Sequence, residues 1–375
     1  MPNSTADPRN ARDVNLVAVL DVLRTHGAST RAFIARATQL SSPTTSDVVA
    51  DLVAAGVVRI GSPGPATGGR RGGLVELIPD SYVVAAIDLS ARRPFIGEVD
   101  LCGEVVDSSI VEIPGSALTS PNALVDWVSG LPRDGRVVGM GVSVPGVTDP
   151  EAGRLEWSPR YGWRDVDLRD LVREAWPLDA VLIENDLNLA AVGEHAASET
   201  NCDNMVMLGL RGGLGAGVIT GGKLYHGSHN SAGEVGYLAL DPRTVASTRE
   251  FGPLEGALFE QLRRAGLVDG QAPNLIDPST RTKPLSPALT RSVQDLLFQA
   301  ALALSTALDP ASIVLGEELV ALVPDLPTSL HERLSSFLPH PPSVVPSRLG
   351  ERASLRGAGI ATLSALTPSL RRLLS

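Results

Sequence analysis

The first sixty residues carry apolar positions at helical spacing. In NLVAVLDVLRTHG, Leu16, Val19, Leu20 and Leu23 fall three and four residues apart, and Gly27 ends the run. STRAFIARATQL follows, with Ser29 or Thr30 as the cap and Phe33, Ile34 and Ala37 on one face. After Ser41 and Ser42, PTTSDVVADLVAAG opens on Pro43, which suits a first helical position. It buries Val48, Val49 and Leu52 and closes at Gly56. VVRIGSPGPATGGRRGGLVELI then reads as strand, Gly/Pro-rich tip, strand. The pattern predicts a winged helix-turn-helix over residues 14–79, behind a loose polar tail at 1–13.

Beyond residue 80 the pattern changes. YVVAAIDLSARRPFIGEVDLCGEVVDSSIVEI alternates as antiparallel strands do, with a turn at Cys102–Gly103. VVGMGVSVPGVTD is a strand that breaks at Pro145–Gly146. VLIENDLNLAAVGEH is a short strand that hands Asn185 and Asp186 to a helix. NMVMLGLRGGLGAGVITGGKLYHG gives a strand, a glycine-rich hairpin and a second strand. A helix, a turn at Asp309–Pro310 and a buried strand ending at Gly316 complete the series. Strands and helices alternate throughout, so the class is α/β. A β-meander followed by a crossover, and then a similar second round, predicts two lobes around a cleft. The first lobe spans about 80–190 and the second about 191–350, and a C-terminal helix returns to the first.

Composition narrows the function classes. With 43% hydrophobic and 20% charged residues over 375 positions, the chain is globular and long enough for two or three domains. Cys102 and Cys202 are too few for a disulfide scaffold or a cysteine-rich zinc site. No apolar run reaches the length of a membrane span, and MPNSTADPRNARD has no signal-peptide core, so a cytoplasmic protein is expected. A net charge of −10 argues against a general nucleic-acid coat, but it is uneven: residues 1–80 sum to +1 and the rest to −11. The N-terminal end of the third helix offers Ser42, Thr44, Thr45 and Ser46. The second helix begins at Thr30 and Arg31, and the wing holds Arg70 and Arg71 between glycines. Short hydrogen-bonding side chains at a recognition-helix end and arginines in a wing suit a major groove and nearby phosphates. A protein-interaction module with a solvated loop is the alternative.

The order and spacing of GVSVPGVTD, SPRYGW, ENDLNLAAVGE, GLGAGVITGGKLYHGSHNSAGEVGYLAL and LDPASIVLG resemble the ROK family of repressors and sugar kinases, within the actin-like/sugar-kinase ATPase superfamily. The resemblance spans nearly the whole chain, and GGRR in the wing matches the family's repressors. It implies a winged helix-turn-helix followed by a two-lobed ROK domain. It also implies that Asn185 and Asp186 bind sugar hydroxyls, that Glu234 and Glu255 are further sugar contacts, and that Gly146 and Tyr237 adjoin them. In the family's kinases the matching Asp is the catalytic base. Without the family, helix capping alone would explain an Asn–Asp pair. Carboxylates converging on a cleft, however, are costly unless hydroxyls satisfy them.

Four departures decide the expected function. Where the family's zinc site has a His and three Cys, this chain has Tyr237, with Ala246, Thr248 and Pro253 at or near the Cys positions, so no metal is expected. The first phosphate loop reads DLSARRP, with Ser90 in place of its glycine and Arg92 in place of its hydroxyl. The second, LRGGLGAG, lacks a Thr. The late glycine pair has become Gly316–Glu317, which puts a carboxylate where phosphates would lie. The sugar half is thus better kept than the ATP half. The expected protein is a DNA-binding regulator, a repressor, that senses a sugar or sugar phosphate, needs neither zinc nor ATP, and has no catalytic residue. It would act as a homodimer or homotetramer on a pseudo-palindromic operator, away from membranes. The alternatives are an ATP-dependent sugar kinase using Asp186, and a regulator that binds no sugar and answers to a protein partner. Elemental analysis of the purified protein is expected to find no stoichiometric zinc. About one zinc per chain would require a different ligand set.

Overall fold

A computed structural model describes residues 8–63, 73–178, 180–198, 202–239, 252–269, 274–275 and 285–366. The N-terminal unit is α1 (Pro8–His26), α2 (Arg31–Thr38), α3 (Ser42–Ala54) and the antiparallel hairpin β1 (Val58–Pro63) with β2 (Gly73–Leu77). Thr30 caps α2 by accepting the Phe33 N–H, and Ser41 caps α3 by accepting that of Thr44. Leu16, Val19, Leu20, Leu23, Ile34, Val48, Val49 and Leu52 are all buried. Two expectations change. Residues 8–13, expected in the tail, are helical, and Ala37 faces solvent. The wing tip with Arg70 and Arg71 lies outside the described residues.

The core of this unit does not close on itself. It is continuous with Val84, Leu101, Val138, Ala180, Leu363 and Leu366 of the following domain. Arg24 strengthens the join: its Nε donates to the Leu101 carbonyl at 3.2 Å while Nη1 pairs with Asp21 at 3.0 Å.

The first lobe comprises β3 (Val83–Asp88), β4 (Phe95–Asp100), β5 (Val105–Glu112), α4 (Pro121–Ser129) and β6 (Val137–Val144). It continues with a small sheet of β7 (Val147–Asp149), β8 (Arg154–Ser158) and β9 (Trp163–Val166), then α5 (Leu168–Ala175) and β10 (Ala180–Asn185). Helix α6 (Asp186–Ala197) crosses to the second lobe. There lie β11 (Met205–Leu210), β12 (Leu214–Thr220), β13 (Lys223–Leu224), α7 (Pro253–Arg264) and the short pair β14 (Val268–Asp269) and β15 (Asn274–Leu275). They are followed by α8 (Pro287–Leu308), β16 (Ser312–Leu315), α9 (Glu317–Leu322), α10 (Leu326–Phe337) and β17 (Ser343–Pro346). Helix α11 (Ala353–Ala365) returns to the first lobe.

The two main sheets share one plan. The orders are β5-β4-β3-β6-β10 and β13-β12-β11-β16-β17. In each, three strands form an antiparallel meander and two more add in parallel. The repeat expected from the sequence is therefore a duplicated sheet, with the cleft between the copies.

Helices α6 and α11 lie between the sheets and cross closely. A Cβ at Gly357 would stand 1.8 Å from the Leu189 carbonyl oxygen, and one at Gly193 2.2 Å from that of Ala353. Backbone meets backbone there, so no side chain can yield. Gly357→Ala is expected to destabilise the fold by about 1–3 kcal/mol, read as a lower urea midpoint at unchanged m-value. An unchanged midpoint would show that the crossing has slack.

Candidate functional site

The fold brings Asn185, Asp186, Glu234, Tyr237, Glu255 and Gly146 to one pocket between the lobes. It holds about 580 Å³ of free space open to solvent, and Trp157, Pro159 and residues 212–215 complete its wall. Asn185 ends β10, and its side chain closes the α6 N-terminus. Its Oδ1 accepts the N–H groups of Leu187 (2.9 Å) and Asn188 (3.1 Å), while Nδ2 donates to the Gly146 carbonyl (2.9 Å) and to Asp186 Oδ1 (3.1 Å). Asn185 therefore does the capping, which leaves Asp186 free for the cleft. Asp186 is buried, and its Oδ2 has no hydrogen-bond partner. Burial pushes its pKa up to about 7; the Arg211 charge pulls the other way and that of Asp88 adds to the rise.

The second lobe supplies two more carboxylates. Glu255, in the first turn of α7, accepts the Leu214 N–H at 3.0 Å. Burial raises it to about 7, against hydrogen bonds from Leu214 and Gly252 and with the charge of Glu234. Burial also raises Glu234. The glycines here are spatial requirements. A Cβ at Gly213 would sit 2.5 Å from Glu255 Oε1, and Gly146, at φ +144°, would put one 2.2 Å from the Trp157 carbonyl oxygen. Tyr237 is 52% exposed and stands at the rim, so it leaves the pocket open where a buried side chain would narrow it.

Beside the pocket lies a cluster that the sequence did not single out. Arg211, at the β11–β12 turn, is buried. Its Nη1 donates to Asp88 Oδ2 (3.2 Å), Ser90 Oγ (3.0 Å) and Ser354 Oγ (2.7 Å), and Nη2 donates to the Gly350 carbonyl (3.2 Å). Its Nε lies 3.3 Å from Glu318 Oε1, an ion pair without hydrogen-bond alignment. Burial opposes its charge, yet Glu318, Asp88 and Asp186 together raise its pKa above the usual arginine value. Asp88 Oδ1 is occupied by Ser90 N (2.8 Å), Ser90 Oγ (2.6 Å) and Ala91 N (3.2 Å). From SPRYGW, Arg160 Nη2 donates to the Ala91 carbonyl (2.8 Å) and Tyr161 Oη to that of Leu89 (2.6 Å). The DLSARRP loop is thus pinned from both sides. The glutamate that reaches the cluster is Glu318. Glu317 instead accepts the Glu351 N–H at 3.0 Å. The available signal was an arginine inside a glycine-rich hairpin.

Of the positions substituted relative to a zinc site, Pro253 opens α7, and Ala246 and Thr248 lie outside the described residues. Among the described residues, no three His, Cys, Asp or Glu side chains gather as a metal site. No helix there is long and apolar enough to cross a membrane.

On the helix-turn-helix face, Ser42 and Ser46 are exposed and Arg31 is half-buried at the start of α2. Thr30 uses its hydroxyl as a cap. Thr44 Oγ1 lies 2.7 Å from Ser41 Oγ. Thr45 does not face outward as expected. It is buried, and its hydroxyl donates to the Ser41 carbonyl at 3.0 Å, because the second residue of the threonine pair turns toward the Val48–Val49 side of α3.

Residues 86–364 match the ROK family. The chain belongs to the ROK family. The xylose repressor of Caldicellulosiruptor bescii is 29% identical over 260 residues, which cover 67% of this chain and 65% of that protein. The matched stretch is therefore just under two thirds of that repressor's length. A ROK family transcriptional regulator, a homologue of the Escherichia coli MLC protein, superposes over 97% of this chain and 99% of its own at a TM-score of 0.74 and 19% identity. A ROK family glucokinase from Streptomyces griseus, solved with glucose and AMPPNP, covers 74% of this chain and 98% of its own at a TM-score of 0.59 and 22% identity. At these identities the solved structures establish the shared ROK fold.

Asp186 gives this ROK site a pH signature. Its folded-state carboxyl keeps its proton to about pH 7, against about 4 in an unfolded chain. The group therefore costs no stability at pH 4, costs more as pH rises toward 7, and costs most above it. Asp186→Asn is expected to gain thermal stability over wild type across that interval, by an amount on the order of 1–4 kcal/mol at pH 8. A difference in melting temperature that stays constant from pH 4 to pH 8 would show that Asp186 is not a proton-holding group.

Proposed function

We propose that this ROK protein is a cytoplasmic DNA-binding transcriptional repressor whose interlobe pocket takes a sugar or sugar derivative. In this reading it acts as a dimer or tetramer on a pseudo-palindromic operator, needs neither zinc nor nucleotide, and transfers no phosphate. One observation carries the reading: a single helix touches both the pocket and the helix-turn-helix unit. Ser354, at the start of α11, donates to the backbone carbonyl of Asp186 at 3.0 Å. Leu363, in its last turn, and Leu366, just beyond it, belong to the apolar core that holds Leu16, Val19, Leu20 and Leu23. A change in lobe arrangement that moves α11 therefore moves the floor under the DNA-binding helices. The xylose repressors among its relatives support the assignment.

The pocket chemistry fits a polyol. Three carboxylates and a glycine-lined wall offer hydroxyl acceptors at close range, and a charge-assisted hydroxyl bond contributes about 1.5–3 kcal/mol. The Arg211 cluster argues against phosphoryl transfer, because the Asp88–Ser90 loop is saturated by the chain's own donors.

Calorimetry of the full chain against xylose, glucose, N-acetylglucosamine and their phosphate esters tests the reading, together with gel shifts on the DNA upstream of its own gene. At least one of these compounds is expected to bind and to change DNA affinity. Asp186→Asn is expected to weaken that binding by roughly ten- to a hundredfold. Sugar-dependent ADP release by the wild type would replace the reading with a kinase that uses Asp186 as base. DNA binding with no response to any of the compounds would favour a regulator that answers to a protein.

A further inference from the structure

One buried carboxylate behind the pocket gathers partners from both lobes. Glu184 is the residue before Asn185, and its side chain is 4% exposed. Its Oε1 accepts the Asn185 N–H at 2.7 Å and Asn188 Nδ2 at 3.0 Å, with Thr148 Oγ1 at 3.5 Å. These three partners belong to the strand end, to α6 and to β7. Its Oε2 meets a fourth partner, Nε2 of His226, at 2.7 Å. His226 comes from the other lobe, two residues after β13.

His226 is also the base of the loop that delivers Glu234. Its carbonyl accepts the Ala232 N–H at 3.1 Å, which closes the turn. The far end of that loop is fixed on β12: the Ala216 N–H donates to the Gly233 carbonyl at 2.8 Å, and a Cβ at Gly233 would stand 1.8 Å from the Ala216 oxygen. The loop is therefore held at two points. One is its own sheet at Gly233. The other is the opposite lobe, through the imidazole.

We infer that His226 is a positioning residue for the ligand site: its bond to Glu184 ties the loop that carries Glu234 to the strand end that carries Asn185 and Asp186. The inference rests on the sugar-sensing reading for its ligand, but not for its geometry. A ligand clasped between Asp186 and Glu234 needs these two carboxylates at a fixed separation, and they sit on opposite sides of the cleft. The His226–Glu184 bond bridges the lobes two residues from Asp186 and eight from Glu234. Among the described residues, four side-chain and backbone groups meet the Glu184 carboxylate, and the imidazole is the one that reaches it from the second lobe.

The bridge has a pH dependence. The hydrogen bond to Glu184 raises the His226 pKa; partial burial opposes this and the Glu184 charge adds to it. Glu184, on β10, is the charged group that acts on the imidazole. Asp186, Glu234 and Glu255 in the pocket are all raised by burial, so they set a rising limb as they ionise. As pH rises through the raised imidazole pKa, the charge-assisted bond becomes a neutral one and weakens. Ligand affinity should therefore fall on the alkaline side as His226 loses its proton.

The test compares wild type with His226→Ala and His226→Gln. Hydrogen–deuterium exchange over residues 226–235 is measured without ligand, and calorimetry with xylose, glucose and N-acetylglucosamine runs from pH 5.5 to 9. For His226→Ala, faster exchange through Glu234 and about tenfold weaker binding of whichever sugar the wild type takes are expected. His226→Gln, which can still donate to Glu184, should recover most of the affinity at high pH and lack the alkaline fall. Unchanged exchange in His226→Ala would overturn the inference, and so would an alkaline limb that persists in both variants. If no sugar binds even the wild type, the sensing reading fails. Faster exchange in His226→Ala, reversed in His226→Gln, then still supports the bridge.

Discussion

The arrangement of the lobes depends on one buried guanidinium. A fully buried charge is tolerated only where its donors and its charge are both answered. Arg211 meets the charge condition in full and the donor condition at both Nη atoms, leaving only Nε in an unaligned ion pair, with partners from three parts of the chain: Asp88 and Ser90 from the first lobe, Glu318 from the second, and Ser354 and Gly350 around the start of α11. None of these elements can withdraw alone without stranding a charge in a dry interior, a loss of several kcal/mol. The cluster therefore fixes how the DLSARRP loop, the glycine hairpin and α11 stand together. It also occupies ground that would otherwise be free for an anion.

The pocket next to it is built on the opposite principle. The Arg211 charge is answered by two carboxylates, whereas Asp186 keeps one carboxylate oxygen buried and unpartnered, with its proton held to about pH 7. Glu255 is held up to a similar value. The chain spends Asn185 on capping α6, so that the helix is closed without Asp186. An N-cap and an acceptor that faces the cleft are thus separated onto adjacent residues. The glycines at 146, 212 and 213 let the wall approach these groups. A buried acid without a donor stores unfavourable free energy that a hydroxyl-bearing ligand can release.

How much of this could be seen in the sequence follows from the range of each interaction. The N-terminal helices were legible because Leu16, Val19, Leu20 and Leu23 fall on one stripe, and local periodicity reports burial directly. The two lobes were legible because each sheet repeats a meander and a parallel addition. The carboxylates of the pocket followed from motif order, which the fold then brought to one cleft. Thr45 was misplaced because two adjacent threonines at a helix start look alike until the helix phase is fixed, and a shift of one residue exchanges outside for inside. Arg211 left only the trace of an arginine inside a glycine-rich hairpin, and His226 left none. Their partners lie 123 and 42 residues away, at Asp88 and Glu184, and no local pattern marks a residue whose role is to answer a distant charge. For the same reason the join between the N-terminal unit and the first lobe stayed hidden: its apolar residues satisfied a local pattern, and only the fold shows that Leu363 and Leu366 complete the core.

These long-range contacts decide whether a ligand could be felt at the N-terminal helical unit. A ligand shifts a conformational equilibrium only by its difference in affinity between the two states. Contacts to one lobe alone give no such difference when the lobes move as rigid bodies. The pocket meets the requirement because Asn185 and Asp186 come from one lobe and Glu234 and Glu255 from the other, so hydroxyls spanning them would bind one lobe separation better than another. The tight crossing of α6 and α11 passes any movement of α6 to α11 without slack, since backbone touches backbone at Gly193 and Gly357. The far end of α11 lies in the core beneath α1. A separation of lobes by an ångström at the pocket thus has a rigid route to the helix-turn-helix, and the size of the response is bounded by the strength of the hydroxyl bonds that span the cleft.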